Sequence, residues 1–226
     1  SLENIGIADG VWASSAVFLR YGQGKWGRNK EKCACQENVE YIDEANMELR
    51  ERLETRTFDR LDARDCGQMI VADDLFEGAL DLSLRGPKQV AFRAAWALDF
   101  AFSYDTDRLY RYCTQVADSF IKSTHHGVMR LYGKMFVRLL SDPRVDFPSD
   151  QAERVMEAAF IRLIDPDMPP SVRVWCMEIL CRLPHCASWV EEELLEVLDR
   201  LRQGPVPSLG NKADKLYRIM RNRQKC

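Results

Sequence analysis

The chain has 226 residues, which is enough for one large domain or a short array of repeats. Hydrophobic residues make up 46% and charged residues 30%, a globular balance that excludes wholesale disorder. The formal net charge is −3, whereas dedicated DNA-binding domains are usually basic, so the global charge gives no support to that class.

No apolar stretch is long enough to cross a membrane. The best candidate, residues 90–102, is too short and contains Arg93 and Asp99. The N-terminal residues lack the basic segment that begins a signal peptide. We therefore expect a cytoplasmic protein without a membrane partner.

The eight cysteines are dilute, and several lie inside apolar helical patterns. Secreted scaffolds use cysteines densely and at regular spacing, so we interpret most of these as small core residues in a reducing compartment. The paired CxxC units of a zinc site are absent, as are HExxH, GxSxG and GxxxxGK strings. We predict no catalytic residue, no metal site and no cofactor.

Residues 1–46 are predicted to form an N-terminal extension or arm that is partly irregular. Within it, residues 20–32 carry a local charge of +4 together with Tyr21 and Trp26. Basic residues interleaved with aromatic ones bind nucleic acid through charge and stacking. A solvated tail is the structural alternative.

From about residue 39 the apolar residues follow a helical period, and strand alternation is scarce. Pro87 and Pro170 fit helix starts, where a missing N–H group is not needed. Ser149 and Ser208 are predicted to cap the helices that follow them. The predicted helices are residues 40–55, 59–71, 73–84, 87–103, 106–122, 126–141, 149–164, 170–183, 188–202 and 209–224.

Three of these helices share a pattern of valine, arginine and a following apolar run. Their arginines are Arg93, Arg130 and Arg173, spaced 37 and 43 residues apart. Trp96 and Trp175 are each followed three residues later by an acidic residue. Another amphipathic helix lies between these helices each time, and a period near 40 residues with two helices per unit is typical of HEAT and armadillo-type solenoids. We therefore predict an all-α protein, an α–α superhelix of HEAT-like helical hairpins.

The stretch from Asp167 to Leu180 resembles the second helix of a HEAT repeat, with an aspartate and a Val-Arg pair ahead of apolar residues. More broadly, residues 47–226 resemble small bacterial HEAT-like (armadillo-type) repeat proteins of unestablished function, some labelled adenylosuccinate lyase. The residues that carry this resemblance are 93–100 and 128–134. It covers about four fifths of the chain and implies a HEAT-like helical repeat domain over residues 47–226 rather than an activity.

Enzymes of the adenylosuccinate lyase superfamily resemble one another in a loop of the form GSSxMPxKxN, which this sequence lacks. The nearest fragment, residues 208–212, has neither the paired serines nor the methionine and proline. Adenylosuccinate lyase activity is therefore not expected.

Equivalent residues in successive repeats of a solenoid line up. Arg93, Arg130 and Arg173 are therefore predicted to form a column, joined by Lys134, that recognises phosphate or carboxylate groups. The structural alternative is that each arginine bonds an acidic side chain or a backbone carbonyl between repeats.

The C-terminal helix adds Arg218 and Arg221 to the predicted binding surface. Its basic face suits nucleic-acid phosphates, and the alternative is that it caps the array with a polar outer face. Its predicted docking stripe consists of Ala213, Leu216, Tyr217 and Met220.

Some HEAT-like proteins resemble DNA glycosylases that remove alkylated bases, using aromatic, acidic and basic residues on a concave surface. Arg93, Trp96 and Asp99 share a helix face, although that helix is apolar nearly all round, which favours a core position for Trp96. We predict a non-catalytic scaffold that binds a protein or peptide partner. The alternative is a nucleic-acid-binding HEAT-like protein related to alkylpurine DNA glycosylases.

Overall fold

Short helices, separated by prolines and by side-chain caps, make up the part of the chain that the computed structural model describes, residues 43–183 and 188–223. Every described residue belongs to one compact unit, Tyr41–Cys226. Most of the predicted arm, with its basic and aromatic residues and Cys33 and Cys35, lies outside the described residues.

All the regular structure in the described residues is helical, as the sequence predicted. In chain order the helices are α1 (43–54), α2 (Arg60–Ala72), α3 (Phe76–Arg85), α4 (Lys88–Tyr104), α5 (Thr106–Arg111), α6 (Cys113–Lys122), α7 (His126–Leu139), α8 (Ser149–Ile164), α9 (Pro170–Arg182), α10 (Ser188–Arg202) and α11 (Pro207–Arg223). Helix α1 runs through the predicted boundary between residues 46 and 47.

The helices form two rows. Helices α3, α6, α8 and α10 each pack on the helix that follows them, α4, α7, α9 and α11 respectively, and α2 packs on α4. The second row, α2, α4, α7, α9 and α11, is continuous, because each helix contacts the next. The first row is α3, α6, α8 and α10, and we group α1 with it because Asn46 of α1 lies against Gly78 of α3. One apolar core extends between the rows from Ala45 to Met220, so the described hairpins depend on their neighbours for burial.

Helix starts follow the chemistry of the first turn. Asp59 caps α2, because its carboxylate accepts from the backbone N–H groups of Leu61 and Asp62. Pro170 occupies the first position of α9, as predicted. The predicted caps at Ser149 and Ser208 are wrong: both serines lie inside their helices, α8 follows Pro148 and α11 begins at Pro207. A proline in or just before the first turn has a φ angle that already suits a helix. The helix therefore begins at or next to the proline instead of after the serine.

The single helix predicted over residues 106–122 is two helices, α5 and α6, with a break at Tyr112. The ring of Tyr112 stacks on Phe76 of α3 at 5.6 Å and contacts Phe102 of α4 at 6.2 Å. This packing is a tertiary interaction, so the local helical period of the sequence gave no sign of the break.

Two helices of the second row approach closely at Gly133 of α7. A Cβ atom at this position would lie 2.9 Å from the Cβ atom of Trp175 on α9. Gly210 of α11 is a matched contrast, since the nearest atom to its added Cβ would be the carbonyl oxygen of Arg202 at 3.5 Å, an ordinary contact.

We predict that Gly133→Ala lowers the free energy of unfolding by about 1–3 kcal/mol, because the added methyl group forces α7 and α9 apart. Gly210→Ala should leave stability unchanged or raise it by up to about 1 kcal/mol, since alanine favours the helix. Urea denaturation of both variants measures the difference, and equal effects would contradict the close helix approach.

Candidate interaction surface

Arginine side chains donate hydrogen bonds to the backbone carbonyl groups at the ends of helices in neighbouring hairpins. Arg93 of α4 donates from Nη1 to the carbonyl oxygens of Leu53 and Thr55, at 2.8 and 2.7 Å, where α1 ends. Arg223 of α11 donates to the carbonyl of Cys181 near the end of α9 at 2.8 Å. The last carbonyl groups of a helix have no partner within it and carry the negative end of its dipole, so a guanidinium is well suited to them.

Arg162 of α8 makes the most extensive of these contacts. It donates to the carbonyls of Phe120, Ile121 and Ser123 at the end of α6, at 2.7–3.1 Å, and its guanidinium lies 4.6 Å from the centre of the Phe120 ring. Burial lowers the pKa of Arg162. The guanidinium is therefore a structural group that joins two first-row helices.

A ladder of charged side chains joins the second-row helices. Its first step is Asp99 of α4, whose carboxylate accepts from Lys134 Nζ and Arg138 Nη2 of α7, both at 2.6 Å. Asp99 is buried, with 7% of its side chain exposed, whereas Lys134 is 45% exposed. One carboxylate between two cations leaves this step with one excess positive charge.

The second step repeats the arrangement two helices further along. Glu178 of α9 accepts from Arg182 Nε of the same helix at 3.1 Å and from Lys212 Nζ of α11. Burial opposes the ionisation of Glu178, but the hydrogen bonds and charges of Lys212 and Arg182 outweigh it, so its pKa lies below the ordinary value. This step also has one excess positive charge.

Serine side chains complete the ladder. Arg138 donates to the hydroxyl of Ser103 on α4, and Arg182 donates to the hydroxyl of Ser141 just after α7. Polar contacts therefore connect α4, α7, α9 and α11 on one face, which we name the ladder face and define by Asp99, Lys134, Arg138, Glu178, Arg182 and Lys212.

The two rows differ in charge. Over the described ranges, the second-row helices contain fourteen basic and five acidic residues, a net charge of +9. The first-row helices contain eight basic and sixteen acidic residues, a net charge of −8. The net charge of the whole chain is close to zero and does not show that the two rows carry opposite charges. This becomes visible only when the helices are assigned to rows.

The predicted binding residues lie in different environments. Arg93 is buried against α1, and Arg173 donates from Nε to the carbonyl of Leu163 at 2.9 Å. Lys134 belongs to the ladder face. Arg130 lies one turn before it on α7 and has no hydrogen-bond or ion-pair partner among the described residues.

Arg218 and Arg221 lie apart from the ladder face. Arg218 pairs with Asp214 of its own helix at 2.7 Å, and Arg221 lies 5.7 Å from the centre of the Tyr217 ring. Arg221 also lines a depression with Glu192 and other acidic residues of α10.

Arg93, Trp96 and Asp99 do not converge on one open site. Arg93 reaches α1, Asp99 bonds two cations of α7, and Trp96 contacts the rings of Phe58 and Phe92, with centroids 6.2 and 5.8 Å away. Trp96 is half-buried rather than fully in the core.

The buried cysteines Cys66, Cys176 and Cys181 are core residues. Burial raises the pKa of the Cys66 thiol to about 11 and those of Cys176 and Cys181 to about 12, which keeps them protonated. Within residues 43–183 and 188–223, no group of three His, Cys, Asp or Glu side chains is placed to hold a metal ion.

The sequence did not single out Arg138, Arg162 or Arg182, and it indicated Lys212 and Arg223 only as part of the basic face of the C-terminal helix. The repeat period was the available signal, because Arg93, Arg162 and Arg223 each bond a carbonyl 40–42 residues earlier. An arginine about 40 residues after the end of a helix is therefore a candidate donor to the carbonyl groups at that end.

Stacked hairpins of this kind define a helical-repeat protein. A HEAT repeat domain family model matches residues 46–216, most of the chain, and the protein belongs to the HEAT repeat family. Comparison with curated proteins finds no matching sequence. Among the described residues, no helix is both long and apolar enough to span a membrane.

We predict that Arg162→Met lowers the free energy of unfolding by about 2–4 kcal/mol, because three carbonyl groups at the end of α6 lose their donor. Arg154→Met is the matched control on the same helix, since Arg154 is exposed and pairs with Asp118 at the surface. Its effect should stay below about 1 kcal/mol. Chemical denaturation of both variants gives the comparison, and similar values would argue against helix closure by Arg162.

We also predict that Glu178→Gln is most destabilising near neutral pH. Since the folded-state pKa of Glu178 is lowered, its stabilising contribution is present above the ordinary pKa of 4.5 and is lost as pH falls through the folded-state value. The difference from the wild type in urea midpoint should therefore shrink on acidification below 4.5. Glu157→Gln, an exposed change on α8, should show no such trend; a pH-independent difference for Glu178→Gln would contradict the ion-pair explanation.

Proposed function

We propose that this protein is a non-catalytic helical-repeat scaffold that binds a protein or peptide partner across the ladder face. The observation that carries the proposal is the continuity of this face over four second-row helices, α4, α7, α9 and α11. In repeat proteins, stacking of equivalent helices produces extended surfaces of this kind for binding.

The roles of the ionisable groups support a scaffold rather than an enzyme. Arg93 and Arg162 donate to carbonyl groups at helix ends, and Asp99 and Glu178 each form ion pairs with two cations. The buried thiols have raised pKa values, the opposite of what a nucleophile requires. The charged groups therefore join hairpins, and the thiols lie in the apolar core.

Nucleic-acid binding is the second candidate. The net charge of +9 on the second-row helices favours it, because phosphate backbones bind clustered cations. The experiment must therefore distinguish the class of partner as well as the face.

Site-specific photo-crosslinking in cells tests both points. Ser171 of α9 is exposed and lies two turns before Glu178, on the side of the ladder face; Glu157 of α8 is exposed on the first row of the same hairpin. We expect a photoreactive phenylalanine derivative at position 171 to give adducts that protease removes and nuclease does not, and the same substitution at position 157 to give few. Nuclease-sensitive adducts at position 171 would support the second candidate, and equal protein adducts at both positions would contradict use of the ladder face.

A further inference from the structure

We propose that the ladder face recognises an acidic, extended protein segment, with one carboxylate bound by Arg130 and apolar residues on either side packed against Trp96 and Trp175. This inference rests on the proposed function and specifies the chemistry of the partner.

Arg130 is the unsatisfied cation at this position. The cations of the ladder already donate to Asp99 or Glu178, whereas Arg130 has no ion-pair partner in the described part of the chain. It is half-buried, on the same face of α7 as Lys134. Its planar guanidinium can donate two parallel hydrogen bonds to the two oxygens of one carboxylate.

The two second-row helices that contact α7, the helix of Arg130, each carry a tryptophan. Trp96 on α4 and Trp175 on α9 each precede a ladder acid by three residues, and residues three apart share a helix face. Both are half-buried, so part of each side chain remains available for contact. The close approach of α7 and α9 at Gly133 brings the Trp175 side chain near α7.

The spacing of the helices fits an extended chain. Packed helices lie about 8–10 Å apart, and three residues in the polyproline II conformation span about 9 Å and return to the same side of the chain. An acidic residue on Arg130 therefore places residues three positions before and after it above Trp96 and Trp175. The preferred segment has the form apolar-x-x-acid-x-x-apolar.

Three features favour a protein segment over nucleic acid. Asp99 and Glu178 each neutralise one of the two cations they bind, so each step offers one excess positive charge rather than the cluster of cations that a phosphate backbone requires. The first row behind it carries −8, within about one Debye length. Trp96 already contacts two aromatic rings, so it presents less free surface than a platform for stacked bases requires.

Fluorescence anisotropy with the full chain tests the proposal. The probes are a labelled peptide with leucines three positions on either side of glutamate, its glutamine counterpart, and labelled oligo(dT), each at about 50 and 200 mM salt. We expect the glutamate peptide to bind, and the glutamine peptide and oligo(dT) to bind at least about tenfold more weakly, since the free cation selects a carboxylate.

Arg130→Glu should weaken binding of the glutamate peptide at least about tenfold, and Arg130→Gln should weaken it by an intermediate factor. Arg85→Glu is the matched control, because Arg85 is exposed on first-row α3 and changes the net charge equally. Circular dichroism verifies that each variant is folded.

Oligo(dT) binding as tight as peptide binding, equal affinity for the two peptides, or equal effects of Arg130→Glu and Arg85→Glu would each overturn the inference. If crosslinking at position 171 still yields protein adducts, the scaffold function stands and only the acidic specificity fails. If crosslinking yields none while the glutamate peptide binds through Arg130, the recognition chemistry stands without a cellular partner.

Discussion

Stacking short helices side by side leaves the carbonyl groups at their ends partly cut off from water, and the rest of the architecture depends on satisfying them. Arg93, Arg162 and Arg223 do so across hairpin boundaries, each roughly one repeat after the carbonyl that it bonds. Because the donor and the acceptor belong to different hairpins, these bonds stabilise the stack rather than any single repeat. Long guanidinium side chains are suited to this role, since they supply several donors in a fixed plane.

The ladder residues join neighbouring second-row helices in a similar way, through ion pairs rather than through bonds to carbonyl groups. Asp99 and Glu178 each follow a tryptophan by three residues, and each binds a lysine from the next second-row helix, Lys134 or Lys212. This repetition keeps neighbouring helices in register and gives four helices a common polar face. The acids that first suggested chemistry are thus engaged in assembly, whereas Arg130 is a half-buried cation of α7 that has no hydrogen-bond or ion-pair partner among the described residues.

A total charge near zero says little about a protein whose helices lie in two rows. Here the second row carries +9 and the first −8, so each side of the stack presents a field that the sum hides. Since screening weakens the interaction between charges with distance, a partner at one face responds most strongly to the charges of that face and more weakly to those of the other row. The acidic composition that argued against an anionic partner therefore does not describe the ladder face.

The sequence by itself determined the helical class, the repeat period and most helix positions, because apolar spacing and proline act locally along the chain. It also placed Lys134 and Arg130 one turn apart on one helix. Only the tertiary structure decided which arginines are used internally, that a helix breaks where Tyr112 packs on Phe76, and that Asp99 bonds Lys134. These depend on contacts between residues about 35–40 positions apart, and a local pattern carries no information about which of several chemically equivalent arginines reaches a given partner.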